Sequence, residues 1–240
     1  MIKNPSKLHL NHDFRTVLTI LNEGLESSVP STHLKKYIMK NKIRLSSSEI
    51  DLKKYDHVFL VAIGKSAGLM AEYASKKIKF KNGIVVVPSS ILPKLNKSTF
   101  EIINSGHPLP NQNSFKAGKK LISFLNKTNK NDFVVFLISG GGSSLSVYPD
   151  SISLRDKILV NKILIRSGAN IDEIACIRKH LSLIKGGRLI QNMNSTGISL
   201  LVSDVIGDNI GSISSGITFC DKSTFSDAVK IIKKFYFEHK

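Results

Sequence analysis

Phe133-Val134-Val135-Phe136-Leu137-Ile138 runs straight into Ser139-Gly140-Gly141-Gly142-Ser143-Ser144. Six apolar residues with no polar alternation fit a strand buried on both faces, as in a parallel sheet covered by helices on each side. The pattern recurs in both directions along the chain. His57-Val58-Phe59-Leu60-Val61-Ala62-Ile63 precedes Gly64-Lys65-Ser66-Ala67-Gly68, and Ile198-Ser199-Leu200-Leu201-Val202 precedes Ser203-Asp204-Val205-Ile206-Gly207-Asp208. Ligands of open α/β sheets bind at the carboxyl ends of the strands. Three loops of phosphate-cradle composition at such ends predict one shared anion site.

Around these anchors the periodicity predicts strands at 57–63, 83–88, 100–104, 133–139 and 198–204. Between them it predicts helices over 66–79, 112–126, 153–167 and 172–191, with a last one over 225–237. Alternating β and α elements with short loops specify an α/β fold, a mainly parallel sheet flanked by helices. Upstream, Phe14, Val17, Leu18 and Leu21 stand at helical spacing, and Pro30 interrupts. Ser31 or Thr32 could cap a second helix, which is expected to start with Leu34–Met39, and a loop follows at Ser46-Ser47-Ser48. The expected organisation is a helical segment, 1–56, packing on a main domain, 57–240.

The 240 residues carry 35 Lys and Arg against 18 Asp and Glu, a formal charge of +17. Such an excess raises a nucleic-acid reading. Against it, the basic residues are overwhelmingly Lys, spread from Lys77 to Lys130 rather than gathered, and aromatic residues are 7% with no Trp. Stacking platforms are therefore scarce, and a solvated Lys-rich surface is the preferred reading. Cys176 and Cys220 have no metal-ligand spacing. Met1 to Leu10 lacks the apolar core of a signal peptide, and no run reaches the ~18 apolar residues of a membrane span. The expectation is a cytoplasmic protein without a membrane partner.

Each loop offers chemistry beside a bland alternative. A strand-to-helix turn of small residues at Gly64–Gly68 presents N–H groups and a helix N-terminus to an anion, with Lys65 adding charge; plain packing explains such a turn as well. Gly140-Gly141-Gly142 weakens regular structure and makes sense where backbone must approach a ligand closely. Ser139 and Ser143 flank it, and a serine nucleophile at 143 lacks the Gly-x-Ser-x-Gly context. His107, stiffened by Pro108 and Pro110, suits a phosphate or substrate as well as a structural role. Arg178, Lys179 and Lys185 form a basic face on the expected 172–191 helix, suited to carboxylate or phosphate. Asp204 and Asp208 flank Gly207, where carboxylates serve a metal, a hydroxyl proton or a helix cap.

The succession Ala62–Gly68, Gly106-His107-Pro108, Leu137–Ser144, Ile177–Ser182 with Ile184–Arg188, and Ser203–Asp208 resembles the class II glycerate 2-kinases, the MOFRL-type family often labelled hydroxypyruvate reductase. The resemblance runs from about residue 13 to 229. It implies ATP- and Mg²⁺-dependent phosphorylation of D-glycerate to 2-phosphoglycerate by a Rossmann-like domain and a smaller C-terminal domain, the active site lying between them. This chain looks like the first domain, one that needs the second to complete the site. The implied roles are Lys65 and Asp204 in catalysis, Ser139, Gly140, Gly141, Gly142 and Ser143 on phosphates, and His107, Arg178, Lys179 and Lys185 on substrate or phosphate. Asp204 and Asp208 would serve the metal. Departures are the small, polar Val87-Pro88-Ser89-Ser90, Ala175 for Asn, Asn209 for Asp and Ile217 for Pro. Two other readings stand beside the kinase. One is a non-catalytic nucleotide- or organic-acid-binding lobe. The other, an NAD(P)-dependent reductase, ranks last because Gly-x-Gly-x-x-Gly is missing after the first strand.

Overall fold

A computed structural model describes residues 11–237, so the reading of Met1–Leu10 as no signal peptide lies outside the described residues. The chain begins with α1 (His12–Ser27) and α2 (Pro30–Leu34), then three short strands, β1 (Ile38–Met39), β2 (Lys42–Arg44) and β3 (Glu49–Asp51). The main sheet follows as β4 (Val58–Ile63), α3 (Ala67–Ser75), β5 (Asn82–Pro88), β6 (Phe100–Ser105), α4 (Gln112–Leu125) and β7 (Phe133–Ser139). Then come α5 (Gly142–Leu145), α6 (Leu154–Arg166), α7 (Ile171–His180), β8 (Thr196–Val202) and α8 (Phe225–Phe237).

All five strands of the main sheet are parallel, in the order β6-β5-β4-β7-β8. Strand order reverses between β4 and β7, which makes their carboxyl ends the topological switch point where α/β sheets bind ligands. Every residue of β4 and β7 is buried, as their unbroken apolar runs require. The pleat sends alternate residues to opposite faces. Leu60, Ala62, Val135 and Leu137 pack with α3 and the N-terminal elements, whereas Val61, Ile63, Phe136 and Ile138 pack with α4 and the turns that follow α7 and β8. Register then sets the level of the loops. Ile63 pairs with Ile138 and Ser139 with Val202, so Gly64, Gly140 and Ser203 leave the sheet side by side.

Two expectations fail. No helix spans Leu34 to Met39; Leu34 ends α2, and the chain turns into an antiparallel sheet through Asn41, which sits at φ 51. Leu34, Ile38, Ile43 and Leu52 join the core on the α3 side, while α1 buries none of its residues. The 172–191 helix also does not form. After His180 the chain runs back along the segment before α6, with Leu183 N donating to Tyr148 O at 2.8 Å. Gly186 and Gly187 then turn at φ 61 and 82, a left-handed conformation that glycine adopts without steric cost. The glycine pair is thus a loop feature and not a mid-helix one. A small satellite core of Leu164, Cys176, Ile177 and Ala228 joins α6, α7 and α8. Among the described residues no helix is long and apolar enough to cross a membrane.

Candidate active site

Gly64 leaves β4 at φ 137, and a Cβ there would lie 2.6 Å from Ser139 O. Only a glycine lets the two loops touch at this level. The contact is then sewn by backbone: Lys65 N donates to Gly140 O at 2.9 Å, and Ser66 N to Ser139 Oγ at 3.0 Å. Ser139 therefore fastens the turn into α3. The Lys65 ammonium points back across the loops to Asp204, Nζ to Oδ2 3.5 Å, both side chains half exposed at 50 and 51%. A side chain at Gly140 would overlap the Asp204 carboxylate, and one at Gly141 would meet His107 Nε2 and Lys65 Cγ at 3.0 Å. Four segments remote in sequence thus place Lys65, His107, Gly140, Gly141 and Asp204 around one exposed cleft. Partial burial pushes the His107 imidazole below its ordinary value, Lys65 adds to this, and Asp204 opposes it.

The glycine-rich loop is held from beneath. Ser214 Oγ donates to Ser139 O at 2.7 Å, and Ser143 Oγ pairs with Ser215 Oγ at 2.7 Å. Ser214 and Ser215 sit at φ 52 and 60, a left-handed region costing roughly 1–2 kcal/mol per non-glycine residue. Strain of this kind persists only where surrounding contacts hold it, and here both hydroxyls reach the loop. The third fastening is Lys185, 2% exposed, whose Nζ donates to Gly142 O at 2.8 Å.

The basic segment divides. Arg178 turns toward α6, Nε donating to Asn161 Oδ1 at 2.8 Å. Lys179 pairs with Asp221 at 3.2 Å and lines a cavity of about 320 Å³ with Lys185 and Arg188. Lys65, His107 and Asp204 are not among that cavity's walls. Asp208, exposed at φ 50, lies on the tip of the loop after β8. Among the described residues no three His, Cys, Asp or Glu side chains cluster as metal ligands. Sequence reasoning passed over Ser214 and Ser215, although Ser-Ser-Gly after an Asp-bearing loop is a turn signal. His180 and Arg188 belong to the basic segment read from the sequence, but neither was given a role there.

Comparison with known proteins takes up this geometry. Residues 16–240 match the family model described as a domain of unknown function, DUF4147. The chain belongs to that family. It is 39% identical over 197 residues to a protein of Pyrococcus horikoshii named glycerate 2-kinase, covering 82% of this chain and 44% of the relative. It is 34% identical to the D-glycerate 2-kinase of Thermotoga maritima, covering 93% and 52%. A solved Pyrococcus horikoshii protein superposes with a TM-score of 0.85 at 34% identity, over 97% of this chain and 53% of that one. The resemblance read from the motifs, and the α/β fold, are both borne out. The chain spans about half the length of the curated relatives it matches.

Proposed function

We propose that this DUF4147 lobe takes part in ATP-dependent phosphorylation of D-glycerate to 2-phosphoglycerate. The supporting observation is the convergence of Lys65, the Gly140–Gly142 backbone and Asp204 at the switch point of the sheet, in a chain whose relatives are named glycerate 2-kinase. Phosphoryl transfer needs positioning and charge stabilisation more than covalent help. In this reading the glycine-rich loop brings its backbone close to phosphate oxygens, and Ser143 adds a hydroxyl. Lys65 sits where the equatorial oxygens gain charge, and His107 borders the same cleft. The acceptor hydroxyl oxygen attacks the terminal phosphorus as the bond to the bridging oxygen breaks, its electron pair leaving with ADP. Asp204 takes the hydroxyl proton or serves a metal.

The donor set fits Mg²⁺, which binds one or two carboxylates together with substrate phosphates and water: Asp204 is half exposed beside the loop, and Asp208 lies four residues further on. Asp204, with Asp208 from the same loop, would hold the ion, which would supply positive charge against that of the phosphate oxygens. ADP release with D-glycerate, ATP and Mg²⁺ is the test, run on this chain alone and with the C-terminal half of a relative supplied. Turnover in either arm, lowered about 10²-fold or more by Lys65→Ala, supports the reading. A folded protein idle in both arms refutes it in favour of a binding lobe, and unchanged turnover in the variant removes Lys65 from the mechanism.

A further inference from the structure

We propose that the cavity between α7, the 185–188 turn and the start of α8 is the acceptor pocket, built for a small hydroxy acid. The identity of the ligand as D-glycerate rests on the kinase reading; the chemistry asked for comes from the walls.

Lys179, Lys185 and Arg188 face Asp221 across the cavity, so the walls carry more positive than negative charge. Asp221 is already occupied. Its carboxylate accepts from Lys179 Nζ at 3.2 Å, from Ser223 N at 3.1 Å and from Ser223 Oγ at 2.8 Å. Arg188 lies 3.7 Å from Asp150, donates one N–H to Ser182 O and leans over the Phe225 ring at 5.7 Å. Lys185 has no such compensation. It is fully enclosed, its one hydrogen bond goes to Gly142 O, and no carboxylate of the described residues lies within ion-pair distance. Behind it stand two more cations with no carboxylate of the described residues at ion-pair distance, Lys157, which is buried, and Arg178, which is half-buried. A buried charge without a counter-ion is costly. Here three basic groups surround one end of α7, and the missing element is an anion. Burial, with Lys157 and Arg178 nearby, pushes Lys185 well below its ordinary value, a cost that an entering carboxylate relieves.

His180 supplies the second half of the specification. Its Nδ1 lies 2.9 Å from Cys176 O, and a carbonyl only accepts, so Nδ1 carries the proton. Asp221 Oδ2 lies 4.0 Å from the same nitrogen, and Nε2, which accepts when Nδ1 alone is protonated, has no hydrogen-bond partner among the described residues. The ring is pinned edge to face on Phe225 at 4.7 Å. A ligand that satisfies these walls brings an anionic group for the lysines and arginine, and a hydroxyl other than the attacking one that donates to His180 Nε2. Lys185 links the pocket to the phosphate cradle, since the residue lines the cavity and its ammonium donates to Gly142 O at 2.8 Å.

The test is titration of the folded chain with D-glycerate, followed by the imidazole proton resonances of His180 and His107, with glycerol and acetate as partial probes. Saturable shifts at His180 are expected, with acetate and glycerol each at least tenfold weaker than D-glycerate. Lys185→Met keeps the volume and removes the ammonium, and Arg188→Gln trims the mouth. Each is expected to weaken binding tenfold or more while the thermal midpoint stays within a few degrees. If Lys185→Met does not fold, Arg188→Gln carries the comparison. Shifts confined to His107 would seat the acid beside Lys65 and overturn the proposal, as would a folded chain that binds no D-glycerate. Neither result depends on phosphoryl transfer. Binding at His180 without turnover in the ADP assay would leave the pocket standing and remove the kinase reading instead.

Discussion

Raising the pH should stabilise this protein through Lys157. Its side chain is 4% exposed and its ammonium donates to Leu181 O at 3.1 Å and Arg178 O at 3.5 Å, two carbonyls at the end of α7. Burial, with Arg178 adding to it, pushes the group from 10.5 down to about 8. The unfolded chain therefore holds this proton up to a higher pH than the folded one. Below the folded value both states are charged and the fold bears the whole penalty; between about 8 and 10.5 the folded state releases the proton first, and stability climbs. At 1.36 kcal/mol per pH unit, the rise between pH 7 and 9.5 comes to about 2 kcal/mol. Urea denaturation of the wild type and of Lys157→Met at both pH values reads this contribution together with its coupling to Lys185, because the surface lysines titrate alike in both proteins. The variant lacks the charge but leaves two carbonyls unpaired, an offset that does not vary with pH. The wild type should gain on the variant by about 1–2 kcal/mol as pH rises. A difference that stays flat, or falls, would refute the account of Lys157 as a buried, uncompensated cation.

Gly64→Ala should cost about 2–4 kcal/mol in denaturant unfolding, from left-handed backbone plus a clash with Ser139 that neither chain segment can yield to; a change under 1 kcal/mol would mean that the two loops are not in contact. Asp221 shows the opposite pH sign to Lys157. Burial raises its carboxyl, but hydrogen bonds from Ser223 and Lys179 outweigh this and hold it below the ordinary value, so the stability it gives is present above the unfolded value of about 3.9 and is lost as pH falls through the folded one. Acid unfolding of Asp221→Asn, followed by circular dichroism, should lack that component and begin about 1–2 kcal/mol less stable.

The sheet was legible because its central strands leave no ambiguity: Phe133–Ile138 and Val58–Ile63 are too apolar for anything but burial on two faces, and both ends carry glycine. The loops of the cleft were legible for the same reason, since Gly64, Gly140 and Asp204 follow the strands that place them. The basic segment 178–188 misled, because its composition suits a helix while its path is decided by pairing with Tyr148 and by two left-handed glycines. Lys185 consequently reads as one of a ligand-facing row on a helix in the sequence and lies under the glycine-rich loop in the fold. The N-terminal sheet was missed because Lys40-Asn41 is a weaker hairpin signal than Asn-Gly, although Asn41 adopts the left-handed turn.

The cleft draws on strands that pair across long stretches of chain: Ile63 with Ile138, and Ser139 with Val202. No local fragment contains Lys65, Gly140 and Asp204 together, so the cleft cannot nucleate early or fray by itself. Its assembly waits on the slow, non-local pairing of a parallel sheet. Amide exchange at Lys65, whose N–H is bound to Gly140 O, therefore reports on whether the two loops stay in contact. A ligand held in the cleft would slow exchange over the whole sheet by the same factor as at its own contacts.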